Sequence, residues 1–322
     1  MNFRFACPKL LGPLLAACVF AGAAGAQTYP ARVVRIVVPY PAGAGVDIMT
    51  RLFTPRLGEK LGQQFIVDNR AGAGGNIGAE VAAHAAPDGY TLLMAPASIA
   101  ISQSVYKNLR YDLKRDFQAI ALVASVPFVL VVHPSLPIKT TRELIALAKA
   151  HPGQLTFASA GTGSSSHLIG EMFRMQARIN MLHVPYKGIA AIMDTIAGQV
   201  SLTFANTLSV LPQVKAGRLR ALAITSARRS AAAPGLPPVA ESGLPGFEAA
   251  TWFALLAPAG TPREIVARLN ALINEIAQEM REAIAKQGAE PLGGTPEQVA
   301  AHITNEVAKW AKVVAASGAR AD

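Results

Sequence analysis

The strongest constraint on the fold is a repeated succession of a short β-branched run, a Gly- or Ser-rich turn and a helical segment. Run 33–39 leads into the glycine-rich segment 41–45, and run 65–68 leads into a second, 71–75. Runs 91–95 and 155–159 are followed in the same way. Strands that alternate with helices predict parallel sheets covered by helices on both faces. We therefore expect an α/β chain.

The domain organisation follows from length and from two uninterrupted apolar runs. The 322 residues allow roughly two domains of about 150 residues each. Runs 117–132 and 249–258 contain no internal turn, which is typical of segments that cross between domains. We predict a first domain of residues 27–124 and 252–322, and a second of residues 125–251. Two crossings allow a hinge, with a cleft between the facing strand ends.

The N-terminus has the pattern of a cleaved export signal. Arg4 and Lys9 precede the apolar run 10–20, and an A-x-A motif ends at Ala26. Residues 1–26 are therefore predicted to be a signal peptide. The alternative is a lipobox ending at Cys18, whose cysteine would be acylated. The residues that follow stay apolar up to Ala26, which favours the signal peptide.

Cysteine content and charge exclude several classes of site. Both cysteines, Cys7 and Cys18, lie in the leader, so the mature chain has no disulfide, thiol nucleophile or thiolate metal site. Removing Arg4 and Lys9 lowers the formal charge from +10 to +8. The basic residues are dispersed, which argues against nucleic acid. The positive sign suits an anionic small molecule, although charge alone is better explained by solubility.

Three local features predict helix ends and breaks. Segments 140–143 and 261–264 have the T-x-x-E pattern of capping boxes, the second with proline at the first helical position. Asp47 is expected to be the N-cap of the first helix. Pro55 removes a backbone donor and is expected to kink or break that helix.

Two loops have the composition of anion-binding cradles. Segment 159–168 lies between a strand and a helix, and its glycines, serines and helix N-terminal amides provide donors. Segment 41–47 forms a second candidate after the first strand. Each loop taken alone has an alternative of nearly equal weight, because glycine-rich turns often only turn the chain. Asp194 is a candidate partner for a ligand amino group, or part of a solvated helix face.

Enzyme signatures are absent. The last glycine of G-x-G-x-x-G is replaced by Ile48, Ile77 or Ser166 at the three possible places, which argues against a dinucleotide cofactor. The six histidines lack metal-ligand spacing. We predict no catalytic residue, metal or cofactor. A serine hydrolase using Ser164 or Ser166 with His167 is the remaining enzymatic alternative, but residues on one turn seldom aim at each other.

Several ordered motifs resemble those of the Bug-type extracytoplasmic receptors of tripartite tricarboxylate transporters. The motifs are 38–47 (VPYPAGAGVD), 69–78 (NRAGAGGNIG), 158–164 (ASAGTGS), 183–188 (HVPYKG), 240–246 (AESGLPG) and 256–262 (LAPAGTP). Together they span nearly the whole mature chain. The resemblance implies a type II periplasmic-binding-protein fold, with two α/β domains closing around a central ligand cleft as a Venus flytrap.

The resemblance also implies function and partners. The ligand would be a small carboxylate: a dicarboxylate, a tricarboxylate, an acidic amino acid or an aromatic acid. The protein would be a periplasmic monomer that is not an enzyme. Its partners would be the membrane subunits of a tripartite tricarboxylate transporter, or alternatively a sensor kinase.

The family's two ligand loops map onto 40–46 and 159–164. The implied ligand-binding residues are Tyr40, Pro41, Ala42, Gly43, Ala44, Gly45, Ser159, Ala160, Gly161, Thr162, Gly163 and Ser164, with Ser98, His167, Lys187, Asn206 and Thr207 as further candidates. The chain departs from the family pattern at Ala42, where proline is frequent, and at Ala44, where glycine is frequent. A methyl group at position 44 would narrow the cleft or exclude a bridging water.

Overall fold

The computed structural model describes residues 1–2 and 29–321. The predicted signal peptide, including Cys7, Cys18 and the cleavage site at Ala26, lies outside the described residues apart from its first two positions. Among the residues described, no helix has both the length and the apolar character needed to cross a membrane.

Strands and helices alternate along the described chain. The strands are β1 (Val34–Val38), β2 (Phe65–Asn69), β3 (Thr91–Pro96), β4 (Phe117–Val132), β5 (Thr156–Ser159), β6 (Leu182–Pro185), β7 (Leu202–Asn206), β8 (Arg220–Ile224), β9 (Ala250–Pro258) and β10 (Glu290–Pro291). The helices are α1 (Gly45–Leu61), α2 (Asn76–Ala83), α3 (Ser98–Val105), α4 (Thr141–Ala150), α5 (Ser165–Ala177), α6 (Ala190–Ile196), α7 (Thr207–Lys215), α8 (Arg263–Glu279), α9 (Arg281–Lys286) and α10 (Pro296–Ser317). The α/β prediction is confirmed.

The strands form two parallel groups joined by antiparallel pairing. The order is β2-β1-β3-β9-β4-β7-β5-β6, and β8 and β10 also pair with β4. Strand β1 runs parallel to β2 and β3, and β5 runs parallel to β6 and β7. Strands β4 and β9 are antiparallel to their neighbours. The sheet is therefore mixed, because the predicted parallel runs are separated by the two long apolar strands.

Strand β4 passes from one group of strands to the other. Its residues 117–127 pair with β9, and its residues 128–132 pair with β7 and β8. One apolar core lies around Phe53 and Leu255, and another around Phe157 and Phe173. The chain thus has a separate core on each side of the middle of β4. The domain boundaries themselves stay a prediction.

The first capping box is confirmed and the second is wrong. Thr140 Oγ1 accepts from the Glu143 N–H at 3.1 Å, and the Glu143 carboxylate accepts from the Thr140 N–H at 3.2 Å. At the start of α8 the N-cap is Pro262, with no side-chain cap. Thr261 instead donates its hydroxyl to the Pro258 carbonyl at 2.8 Å, within the preceding turn.

Helix α1 corrects the expectation for Asp47 and rules out one of the two outcomes expected for Pro55, the break. Asp47 is its third residue and not its N-cap, which is Ala44. The buried Asp47 carboxylate nevertheless accepts a hydrogen bond from the Gly43 N–H at 2.9 Å, so it holds the helix start from inside. The helix also continues through Pro55 without a break. Pro55 and Arg51, whose carbonyl the proline leaves unpaired, are both exposed, so solvent can satisfy that carbonyl.

Candidate functional site

A cleft lies where the carboxyl ends of several strands meet the N-termini of helices. It encloses about 600 Å³, including its open mouth. Its wall consists of hydroxyl-bearing, amide, small and apolar residues. They are Tyr40, Ala44, Gly45, Val46, Pro96, Ser98, Phe128, Ala160, Ser164, Ser165, Ser166, Gly188, Ile189, Ala191, Ile192, Thr203, Phe204, Ala205, Asn206, Ser209, Thr251 and Phe253.

Part of the predicted ligand set lines this cleft. The residues that do so are Tyr40, Ala44, Gly45, Ser98, Ala160, Ser164 and Asn206. The remaining candidates, which do not belong to the wall, are Pro41, Ala42, Gly43, Ser159, Gly161, Thr162, Gly163, His167, Lys187 and Thr207. Most of these neighbour a wall residue along the chain and shape the loops.

Sequence reasoning missed most of the apolar wall. Phe128 and Phe253 come from β4 and β9, Phe204 comes from β7, and Ile189 and Ile192 come from the start of α6. Phe128 and Phe253 lie within the two apolar crossing runs, so a hinge placed beside a cleft would have pointed to them. No motif marks the others.

The first loop is held by the buried carboxylate of Asp47. Arg51 donates through Nε to Asp47 Oδ1 at 2.9 Å, and Asn69 Nδ2 donates to the same oxygen at 3.0 Å. Asn69 Nδ2 also donates to the Tyr40 carbonyl at 2.9 Å. Burial raises the pKa of Asp47, but the hydrogen bonds from Arg51, Gly43 and Asn69 outweigh burial and leave the pKa below its usual value. The ionised Asp47 therefore fixes where α1 begins.

Tyr40 and Ser98 form a neutral corner of the cleft. The Tyr40 hydroxyl donates to the Gly74 carbonyl at 2.9 Å and lies 3.1 Å from Ser98 Oγ. Burial is the main cause that raises the pKa of Tyr40 to about 12. The phenol is therefore uncharged at neutral pH, and the Ser98 hydroxyl is held next to it.

The second loop is organised by its own serines. The Ala160 N–H donates to Ser166 Oγ at 2.9 Å, and Ser164 Oγ lies 3.1 Å from Ser166 Oγ. Ser164 is the N-cap of α5 and accepts from the His167 N–H at 3.3 Å. Helix α5 therefore begins at the cleft wall with Ser165 and Ser166, whose N–H groups precede the first intrahelical hydrogen bond.

A buried histidine, His167, and a partly buried one, His183, support this loop from behind. The rings of His167 and His183 stack with centroids 3.9 Å apart and planes 13° apart. His167 Nδ1 accepts from the Gly163 N–H at 3.2 Å, and His183 Nε2 lies 2.6 Å from Ser159 Oγ. Burial is the main cause that lowers the pKa of His167 to about 3 and that of His183 to about 4. Both rings are therefore neutral at neutral pH.

This geometry bears on the hydrolase alternative. The His167 ring nitrogen Nδ1 is used by the loop backbone, and Ser164 Oγ caps the helix through the His167 N–H. Nucleophilic catalysis by serine requires a hydrogen bond from its hydroxyl to the imidazole of the base. Within residues 29–321, no such bond joins Ser164 or Ser166 to the His167 ring. The two groups are arranged as parts of a helix start.

Direct contacts join the two sides of the cleft. The Ser209 hydroxyl of α7 donates to the Gly43 carbonyl at 3.1 Å. The Tyr106 hydroxyl, just after α3, donates to the Thr162 carbonyl at 3.0 Å. A Cβ atom on Gly45 would lie only 2.5 Å from Asn206 Nδ2. The loops therefore approach each other closely enough to enclose a ligand.

The described residues of the cleft wall suit an anion, although none of them has a cationic side chain. The N-termini of α1, α5 and α7 all reach its wall, through Gly45, Ser165 and the N-cap Asn206. Each helix N-terminus carries unpaired N–H groups and the positive end of the helix dipole. Such positions bind carboxylate and phosphate groups. Among the described residues, no group of three or more His, Cys, Asp or Glu is placed to hold a metal ion.

The family follows from comparison with known proteins. The model of the tripartite tricarboxylate transporter family receptors matches residues 49–319. The chain belongs to this receptor family. A relative, Protein BugT of Bordetella pertussis, is 41% identical over 318 residues, covering 97% of each chain.

Solved structures of receptors show the same fold. R. palustris Rpa4515 with adipate superposes with a TM-score of 0.88 at 37% identity, covering 90% of this chain and 98% of that one. MatC (Rpa3494) from Rhodopseudomonas palustris with bound malate gives a TM-score of 0.83 at 31% identity, covering 89% and 100%. The expected two-domain periplasmic-binding-protein fold, with α/β domains, is therefore confirmed.

The lowered pKa values of His167 and His183 predict how the stability of the receptor depends on pH. Both pKa values are lower in the folded state than the ordinary value of 6.5, so the unfolded chain binds more protons from about pH 6.5 down to about pH 4 for His183 and about pH 3 for His167. The free energy of unfolding attributable to the pair should be constant above this window and fall as pH drops through it. Melting temperatures recorded from pH 4 to pH 8 would measure this decline.

Single variants separate the pair from other titrating groups. His183→Gln removes one of the two titrations, so its melting temperature should decline less steeply below pH 6.5 than that of the native protein. The control is His151→Gln, which replaces an exposed histidine that is not one of the stacked rings. Equal slopes for the two variants would contradict the assignment.

Proposed function

We propose that this protein captures a small carboxylate in the cleft and delivers it to the membrane subunits of a tripartite tricarboxylate transporter. The observation that carries the proposal is the start of α5 in the cleft wall. Ser165 and Ser166 present N–H groups there, and among the residues described the Ser165 hydroxyl has no hydrogen-bond partner. A carboxylate accepts several hydrogen bonds at once, so these donors suit it.

The bound receptors of known structure support a carboxylate ligand. Adipate is bound in one relative and malate in another, and both are small carboxylates. The shared fold supports a site in the corresponding cleft of this chain. Binding without reaction also agrees with the loop serines and His167 being used to form the helix start.

Capture would proceed by closure of two lobes, residues 27–124 with 252–322 and residues 125–251. Strands β4 and β9 would act as the hinge. A ligand that contacts both lobes stabilises the closed state by its differential affinity. The contact between the Ser209 hydroxyl and the Gly43 carbonyl, which joins the two sides of the cleft, supports such a closed state. The membrane subunits would then bind the closed form.

The protein would reach the periplasm by export. We expect cleavage after Ala26, which leaves Gln27 as the first residue. The intact mass of protein recovered from a periplasmic extract should therefore match residues 27–322. A mass that retains Cys18 with attached acyl chains would instead assign the protein to a membrane surface.

Substitution at the start of α5 tests the anion site. Ser165→Asp adds a negative charge at the first position of a helix, where an acidic side chain is favourable for folding. The same charge repels a bound carboxylate, and like charges brought together at a binding site cost several kcal/mol. Affinity for carboxylates should therefore fall by at least about 100-fold, as measured by isothermal titration calorimetry.

The matched control is Ser165→Asn, which has nearly the same shape without the charge. It should retain binding to within about tenfold, because only one hydroxyl donor is exchanged. If the Asp and Asn variants bind carboxylates equally well, the ligand carboxylate does not bind at the start of α5. If the native protein binds neutral sugars and no carboxylate, the proposed function is wrong.

Substitution of Gly45 tests closure. Its Cβ would meet the Asn206 side chain at 2.5 Å, and Asn206 Oδ1 is already held as the cap of α7 by the Ser209 N–H at 3.1 Å. Moving Asn206 would sacrifice a cap worth about 1 kcal/mol, so Gly45→Ala should weaken ligand binding by about fivefold or more. Small-angle scattering should show less compaction on ligand addition.

Gly235→Ala provides the control. This glycine is exposed, and the position that a Cβ atom would take there is surrounded by open space, so the variant should bind and compact as the native protein does. Native affinity and native compaction in Gly45→Ala would show that the approach of Gly45 to Asn206 does not belong to the ligand-bound state.

A further inference from the structure

A small apolar cluster contains residues from both of the proposed lobes. It is formed by the end of α3, by α5 and by α10 with the residues that follow it, and we call it the seam. Its buried members are Ile101, Val105, Leu168, Trp310, Val314 and Ala319. Leu168 belongs to the lobe of residues 125–251 and is fully buried, whereas the other five belong to the opposite lobe. The seam therefore packs a side chain of α5 among residues of the other lobe.

The seam adjoins the cleft but does not line it. None of its six residues belongs to the cleft wall. Leu168 follows the wall residue Ser166 on α5, and Val105 lies at the opposite end of α3 from the wall residue Ser98. Seam contacts are made by the chain alone. Their contribution to closure therefore does not depend on which ligand the cleft binds.

Tyr106 ties the second loop to the seam. Its side chain is partly buried and packs against the seam residues. Its hydroxyl donates to the Thr162 carbonyl at 3.0 Å. A Cβ atom on Gly163 would lie 3.1 Å from Tyr106 Cε2 and 3.3 Å from Val105 Cγ1, so the loop backbone closely approaches the end of α3. A hydrogen bond and apolar contacts thus join the second loop to the opposite lobe.

Movement of the lobes would disturb the seam. Rotation about β4 and β9 would move Leu168 relative to Trp310, because these two residues lie on opposite lobes. Trp310 is only 1% exposed in the present arrangement. Exposure of buried apolar side chains to water is unfavourable. The Tyr106 hydroxyl would also exchange its carbonyl partner for water. The seam therefore opposes separation of the lobes.

We propose that the seam holds the lobes together without ligand and so sets the balance between the open and closed forms of the receptor. This inference rests on the two-lobe closure of the proposed function and adds a contact outside the ligand site. The apparent affinity of every ligand is scaled by the population of the form that binds it. Loosening the seam should therefore weaken binding of unlike ligands by the same factor, whereas a change in the cleft wall alters selectivity.

Thiol labelling measures how often the seam opens. Both native cysteines, Cys7 and Cys18, lie in the predicted leader, so a cysteine introduced into residues 27–322 is the only thiol there. Leu168→Cys places this thiol in the seam. Leu144→Cys places it in the core of the 125–251 lobe, where Leu144 is also fully buried. N-ethylmaleimide should label the empty Leu168→Cys protein at least about tenfold faster than Leu144→Cys, because the seam opens without unfolding a lobe.

Tyr106→Phe loosens the seam and keeps its aromatic ring. The bond to the Thr162 carbonyl is lost, so labelling of Leu168→Cys in the empty receptor should accelerate by about threefold to tenfold. The matched control is Tyr111→Phe, which loses a hydroxyl bond to Asn76 Oδ1 at 2.7 Å within one lobe. It should leave the labelling of Leu168→Cys unchanged. Leu144→Cys in both backgrounds reports any change in global stability.

Three results obtained without ligand would overturn the inference. Equal labelling rates for Leu168→Cys and Leu144→Cys would show that the seam opens only when the lobe unfolds. Labelling of Leu168→Cys as fast as in denaturant would show that the seam does not form in the empty receptor. Equal acceleration by Tyr106→Phe and Tyr111→Phe would remove the bond between Tyr106 and Thr162 as a cause of closure.

Labelling with ligand separates the seam from the proposed function. Adipate, malate and further carboxylates are added to the Leu168→Cys protein, and those that bind should slow its labelling. Each of them should bind the Tyr106→Phe variant more weakly by the same factor, as measured by titration calorimetry. Unequal factors would overturn the inference. A screen in which no carboxylate slows the labelling would contradict the proposed function and leave the seam intact.

Discussion

The antiparallel pairing of β4 with β9 is the interaction on which the site depends. Their register runs from Phe117 opposite Pro258 to Pro127 opposite Ala250, and the remainder of β4 continues into pairing with β7 and β8. One continuous strand thus links both cores. Phe128 and Phe253 come from these two strands and form part of the cleft wall. Both the predicted hinge and part of the apolar surface of the cleft therefore arise from the same backbone pairing.

The two predicted ligand loops share one requirement, since each must expose backbone donors while keeping its own conformation fixed. In the first loop an ionised, buried Asp47 receives bonds from Gly43, Arg51 and Asn69. In the second loop the stacked neutral rings of His167 and His183 hold Gly163 and Ser159. The charged groups and the imidazole rings thus lie behind the loops, and the loops present neutral donors to the cleft. Such neutral donors are the groups that can hold an anion without a buried cation.

Sequence patterns predicted the α/β class and both loops, because strand periodicity and glycine-rich turns are local signals. The predictions were wrong where a side chain forms a different hydrogen bond in the folded chain from the one that the local pattern suggests. Thr261 satisfies its hydroxyl in the preceding turn, and Asp47 bonds Gly43 from the third helical position. The apolar wall was also beyond local reasoning. Phe128 and Phe253 lie in the two predicted crossing runs, but their place in one cleft wall depends on long-range strand pairing, which residue spacing alone does not reveal.

The departures of the first loop from the family pattern acquire a physical meaning in this setting. Ala42 does not belong to the cleft wall. Alanine in place of the proline that is frequent in the family therefore changes the stiffness of the loop and not a contact with the ligand. Ala44 lies in the wall, immediately before the N-terminus of α1. Its methyl group adds hydrocarbon beside donors that a glycine would leave open to water. The methyl group thus adds to the apolar surface that the phenylalanines and isoleucines give the cleft wall.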